Sequence, residues 1–184
     1  GVDINSHVED DWGPSSSIRS MSPLGIGPVL KDRSAVNIGL VSCMSYLDDK
    51  GFGPSLVHRN GVTRARMFQE ITIAQQTECS DDAALAAALD QLEATLNSPL
   101  GNMKGDYCVG QYTLADCAWA GVCQVATNMG KGTAVSSRSA VNTWFAAVQS
   151  HPSTSKEAIN PFSCLSTKAD HDGNTMRDVR INTA

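Results

Sequence analysis

The residues of this chain with the widest chemical range are its six cysteines, Cys43, Cys79, Cys108, Cys117, Cys123 and Cys164. A thiolate can attack carbon or sulfur, pair into a disulfide or hold zinc. Their spacing argues against the last two. No C-x-x-C occurs, and Cys117 and Cys123 fall six apart in a helical pattern, which turns them to different faces. Disulfide frameworks belong mainly to short secreted chains without a core, whereas 184 residues can build one. Buried free thiols are the expectation. The histidines, His7, His58, His151 and His171, are dispersed without metal-ligand spacing, so surface or capping roles are expected and no metal is.

Two local patterns imitate ligand loops. Asp170-His171-Asp172-Gly173-Asn174 has the look of a calcium loop, but Thr175 and Ile181 stand where an EF-hand needs glycine and glutamate. An Asx-rich turn is the better reading. Gly130-Lys131-Gly132-Thr133 resembles a phosphate loop, yet no glycine lies five residues ahead of Gly130 and no strand precedes it. It reads as the C-terminal stop of a helix.

The composition narrows the classes of partner. A formal charge of −5 with 14 scattered Lys and Arg offers no basic stripe to phosphates, so nucleic acid is not an expected partner. No apolar run approaches the about 18 residues that would cross a bilayer, so an integral membrane protein is not expected either. With 41% hydrophobic and 18% charged residues the chain reads as an ordinary soluble globular protein. The N-terminus, GVDINSHVEDDWG, has no initiator Met and none of the features of a signal peptide, which suggests that an earlier segment is missing.

The elements that must position these side chains change character along the chain. Frequent Gly and Pro up to Pro54 predict short elements: an edge strand over residues 2–8, strands at 28–30 and 35–38 around a turn at 31–33, and a helix over 40–48. From residue 62 strand signals vanish. A helix is predicted over 62–78 with Ala65, Phe68, Ile71, Ile73 and Ala74 on one side, and another over 81–97 with Leu85, Leu89, Leu92 and Leu96, capped by Ser80 or Asp81. Thr113-Leu114-Ala115-Asp116 has the shape of a capping box, in which Thr113 takes an orphan amide and Asp116 reaches back. The nearly unbroken apolar run 114–129 behind it belongs in the middle of an α-domain. A fourth helix over 136–150 carries Val141, Trp144, Phe145 and Val148 and stops at His151-Pro152. Trp119 is expected in the core and Trp12 in an exposed loop, and residues 155–184 read as a polar extension.

Four segments in order resemble the cytosolic glutathione transferases. Ser22-Pro23-Leu24-Gly25-Ile26-Gly27-Pro28-Val29-Leu30 is similar to the family's N-P-x-G-x-V-P-x-L segment, whose second proline is cis. Leu40-Val41-Ser42 with Tyr46-Leu47 is similar to its L-x-E-S-x-x-I-x-x-Y-L helix. Asp106-Tyr107-Cys108-Val109-Gly110 with Thr113 to Asp116 looks like Y-x-x-G-x-x-x-T-x-A-D, and Trp144, Val148 and His151-Pro152 fit W-x-x-x-V-x-x-x-P. The resemblance covers residues 1 to about 153. It implies an α+β fold: a thioredoxin-like domain over 1–58 lacking its first strand and helix, then an all-α domain over 59–154, with the extension after it. It also implies that Gly27 and Pro28 present main-chain groups to glutathione as an added strand would, that Ser42 can contact its γ-glutamyl end, and that Thr113 and Asp116 act as a structural N-cap.

The same resemblance has gaps. The strand and helix that carry the family's catalytic Ser, Tyr or Cys have no counterpart ahead of Val2, so no residue here is assigned a catalytic role. Val41 stands where the family has a carboxylate or amide, and the pair of helices over 62–97 is shorter than the family's hairpin, which implies a shallow cleft. The expectation is a noncatalytic protein-binding module, an accessory subunit of a larger assembly, with no cofactor and with glutathione as a possible ligand. The competing expectation is a glutathione transferase whose N-terminal catalytic segment lies outside this chain. Free thiols mildly favour a reducing compartment such as the cytoplasm, and a trimmed N-terminus would allow an organelle, so the sequence leaves the compartment open.

Overall fold

The first described strands form a hairpin, of which the second alternates small and β-branched residues, Ala35-Val36-Asn37-Ile38. Strand β1 (Val29–Asp32) pairs antiparallel with β2 (Ala35–Ile38), in the register Val29 to Ile38, Leu30 to Asn37, Lys31 to Val36 and Asp32 to Ala35. The turn is Arg33-Ser34 rather than residues 31–33. Asp32 is held in the strand by the Tyr46 hydroxyl, which donates to its Oδ2 at 2.6 Å, and by Lys50 Nζ at 3.6 Å. The tight reversal puts Arg33 at a φ of 54°, a left-handed conformation that costs an ordinary residue about 1 kcal/mol. Helix α1 (Leu40–Lys50) packs on both strands and runs two residues beyond the predicted end. It covers the face that bears Asn37, so alternation turns Val36 and Ile38 to the opposite face, where they are 42% and 37% exposed.

The computed structural model describes residues 20–22, 27–51, 54–97 and 104–152. The chain divides between Ser55 and Leu56 into two compact units, of which the hairpin and α1 belong to the first. The strand expected over 2–8, Trp12, Cys164, the loop at 170–174 and the extension after 154 lie outside the described residues.

The second unit is helical: α2 (Gly61–Gln76), α3 (Asp82–Asn97), α4 (Leu114–Ala126), α5 (Gly132–Ser136) and α6 (Ser139–Ser150). Asn60 caps α2 by accepting the amides of Val62 and Thr63, and Asp81 caps α3 by accepting those of Ala83 and Ala84. Helix α4 packs against α2, α5 and α6. Its residues Ala115, Trp119, Cys123 and Ala126 have no exposed surface, as a helix apolar on most sides requires.

Three sequence expectations are corrected here. The buried stripe of α2 is Met67, Glu70, Ile71 and Ala74, while Ala65 is exposed and Phe68 and Ile73 are half-buried. Glu70 keeps its place in that stripe because the unit supplies donors for it. The apolar run after residue 113 is α4 followed by a wider turn, Thr127–Lys131, in which Gly130 takes a φ of 79°. The helix then resumes as α5. Last, the helix expected over 136–150 begins only at Ser139 as α6; Ser136 closes α5, and Ser137 and Arg138 separate the two. The Arg138 guanidinium bonds Asp90 Oδ1 and the carbonyls of Ala86 and Ala134, which fixes the break.

Glu93 of α3 sets where α6 begins. Its Oε1 accepts the Ala140 amide at 3.1 Å and its Oε2 the Val141 amide at 2.8 Å, so a carboxylate from a neighbouring helix does the work of a cap. Burial pushes the Glu93 carboxyl up, but the two amides, with Asn97 and Arg138, outweigh it and hold it below the ordinary glutamate range. A folded value below the unfolded one means stability that is complete above the unfolded glutamate pKa of about 4.3 and lost as pH falls through the folded value. Glu93→Gln is therefore expected to cost about 1 kcal/mol at neutral pH. In thermal melts followed over a pH series, the gap between the two proteins should close in acid, and a gap constant with pH would refute this role.

Candidate functional site

The residues singled out for glutathione gather at one end of the first unit. Gly27 and Pro28 are joined by a cis peptide bond, and the Pro28 carbonyl accepts the Gly39 amide at 2.8 Å. Gly39 is the N-cap of α1, with a φ of 84°, so β1 begins where the helix begins. The Cys43 thiol, on the first turn, faces the carbonyls of Pro28 and Asn37 at 3.5 and 3.3 Å. Burial pushes this thiol up, the Leu30 backbone opposing weakly. It is a packed donor and a poor nucleophile.

Ser42 sits inside that first turn as the third residue of α1, and its hydroxyl donates to Asn37 Oδ1 at 3.4 Å. Ser42 is four residues ahead of Tyr46, whereas the family motif spaces serine and tyrosine by six. Counting back from Tyr46, the motif's acidic or amide residue and its serine fall on Gly39 and Leu40, the two residues at the helix start. On either register no carboxylate or side-chain amide precedes the serine position. Asn37 was not singled out from the sequence. Its Nδ2 is buried and is the one buried side-chain nitrogen or oxygen without a hydrogen-bond partner among the described residues.

At the far end of α1 the Tyr46 hydroxyl holds the Asp32 carboxyl below its usual range against the cost of burial, with Lys50 and Arg33 adding to the effect. This cluster fixes the helix to the hairpin tip.

Thr113 and Asp116 lie in the second unit, at the start of α4, and both are fully buried. The Thr113 amide and hydroxyl donate to Asp116 Oδ2 at 2.9 and 3.1 Å. Two further donors reach Oδ1: the Cys108 amide at 2.9 Å and the Trp144 indole at 2.8 Å. One carboxylate thus joins α4 to α6 and to the loop before it. That loop closes on itself so tightly that a Cβ on Gly105 would lie 1.9 Å from the Gly110 carbonyl oxygen. A second buried carboxylate, Glu70, accepts the Trp119 indole at 3.0 Å and pairs with Arg66 at 2.8 Å. Both carboxylates are consumed by internal donors.

The remaining candidates have structural surroundings as well. Cys108 is raised well above the ordinary thiol range by burial and by Asp116 and Glu70, and Cys123 is pushed up to about 12 by burial, with Cys79 adding. Cys79 is raised by burial against the opposing charge of Lys131. The Cys117 sulfur lies 3.3 Å from the Tyr112 hydroxyl. His151 stacks on Tyr112 with ring centroids 3.9 Å apart, and the Nδ1 of His58 accepts the Asn60 amide. Among the described residues no three His, Cys, Asp or Glu side chains come together to hold a metal ion, and no helix is long and apolar enough to cross a membrane.

The fold is similar to that of maleyl pyruvate isomerase, a bacterial glutathione-S-transferase of the zeta class solved in its holo form. The TM-score is 0.59 at 18% sequence identity, with 74% of each chain covered. No protein-family model matches the sequence, and a search of the curated proteins finds no match. A likeness at that identity speaks for the fold: a partial thioredoxin-like domain followed by a helical domain.

Proposed function

Because the chain has a glutathione-transferase-like fold, we propose that it works as a noncatalytic module that presents this fold to a protein partner, as an accessory or structural subunit. The observation that carries the reading is the start of α1. A glutathione head group there would meet Gly39, Leu40 and Val41 at the first turn, none of which offers a carboxylate or a side-chain amide. A zwitterionic ligand loses charged contacts of about 1.5–3 kcal/mol each in such a setting. Val36 and Ile38 stand exposed on one hairpin face, where a partner could cover them.

The test combines three measurements on the purified chain. Titration calorimetry with glutathione at millimolar concentration is expected to show no heat, and a generic aromatic electrophile with glutathione no turnover. Conjugation above the uncatalysed rate would overturn the proposal. Light scattering supplies the second arm: a chain that is stably folded and strictly monomeric on its own would count against an accessory subunit.

One observation favours a second reading, glutathione binding without chemistry at Gly27, Pro28 and Ser42. The buried Nδ2 of Asn37 has no acceptor, and a buried amide left unpaired costs about 1–3 kcal/mol that a ligand oxygen could recover. Heat at millimolar glutathione, lost in Asn37→Leu and in Ser42→Ala, would select this reading over the first.

A further inference from the structure

We draw no further inference here: the strongest candidate, the apolar face of the β1–β2 hairpin on which Val36 and Ile38 stand exposed, carries nothing because nothing in the structure shows what covers it.

Discussion

Asp116→Ala is expected to destabilise the helical unit more than any other single substitution, by about 5 kcal/mol, and to leave much of it unfolded. The carboxylate accepts from the Thr113 amide and hydroxyl, the Cys108 amide and the Trp144 indole, all within a region closed to water. A buried donor stripped of its acceptor costs about 1–3 kcal/mol, and four such donors do not add fully because the cavity admits some water. A domain stable by about 5–15 kcal/mol has little left after that loss. Urea denaturation followed by circular dichroism measures the effect. Asp116→Asn should fall between, since its amide group keeps one acceptor and turns a nitrogen toward a donor. A loss under about 1 kcal/mol in the alanine variant would show that Asp116 is not the centre that joins α4 to α6.

The second large effect is expected at Glu70. Removing its carboxylate in Glu70→Leu leaves the Trp119 indole without an acceptor and Arg66 without its ion-pair partner, though Gln69 and Thr95 still accept from the guanidinium. The loss should be about 3 kcal/mol, at the lower end for a broken buried pair, because the Arg66 side chain keeps 22% of its surface and can reach water. A double-mutant cycle with Trp119→Phe isolates the bond between them. Coupling of about 1.5–3 kcal/mol is expected for a charged acceptor, and coupling near zero would mean that Glu70 serves Arg66 and Thr95 instead.

These two residues also mark the limit of what could be read from the sequence. The stripe of Leu85, Leu89, Leu92 and Leu96 was legible because apolar side chains at helical spacing announce a buried face, and the first three are buried while Leu96 is half-buried. Glu70 occupies the same kind of stripe in α2, between Met67 and Ile71, but a carboxylate in a helix reads as a solvent-facing residue unless its donors are known. Those donors come from α4, from Thr95 of α3 and from the preceding turn of α2, and only Arg66 is near in sequence. The same holds for Asp116. Its relation to Thr113 is local and has a motif, whereas Trp144 lies 28 residues away and carries no mark of the contact. Helix boundaries failed for a related reason: the break at Arg138 is made by Asp90, Ala86 and Ala134, two of them on α3.

At the candidate site the lesson is one of spacing. The distance from Ser42 to Tyr46 could be counted against the motif, and the structure adds that Gly39 and Leu40 stand at the start of the helix. Asn37 could not have been chosen, because a strand residue with a polar side chain is usually solvated. Its significance comes from an Nδ2 shut away from water without a partner.

The distribution of sequestered sulfur gives each half of the chain its own clock. Cys43 lies in the first unit and Cys108 and Cys123 in the second, all three withdrawn from water and held protonated. An alkylating reagent can reach them only when the surrounding segment opens, so labelling rates convert into local opening free energies. Peptide mapping after timed exposure then follows the hairpin unit through one cysteine and the helical unit through the other two, and shows whether the halves breathe together or apart.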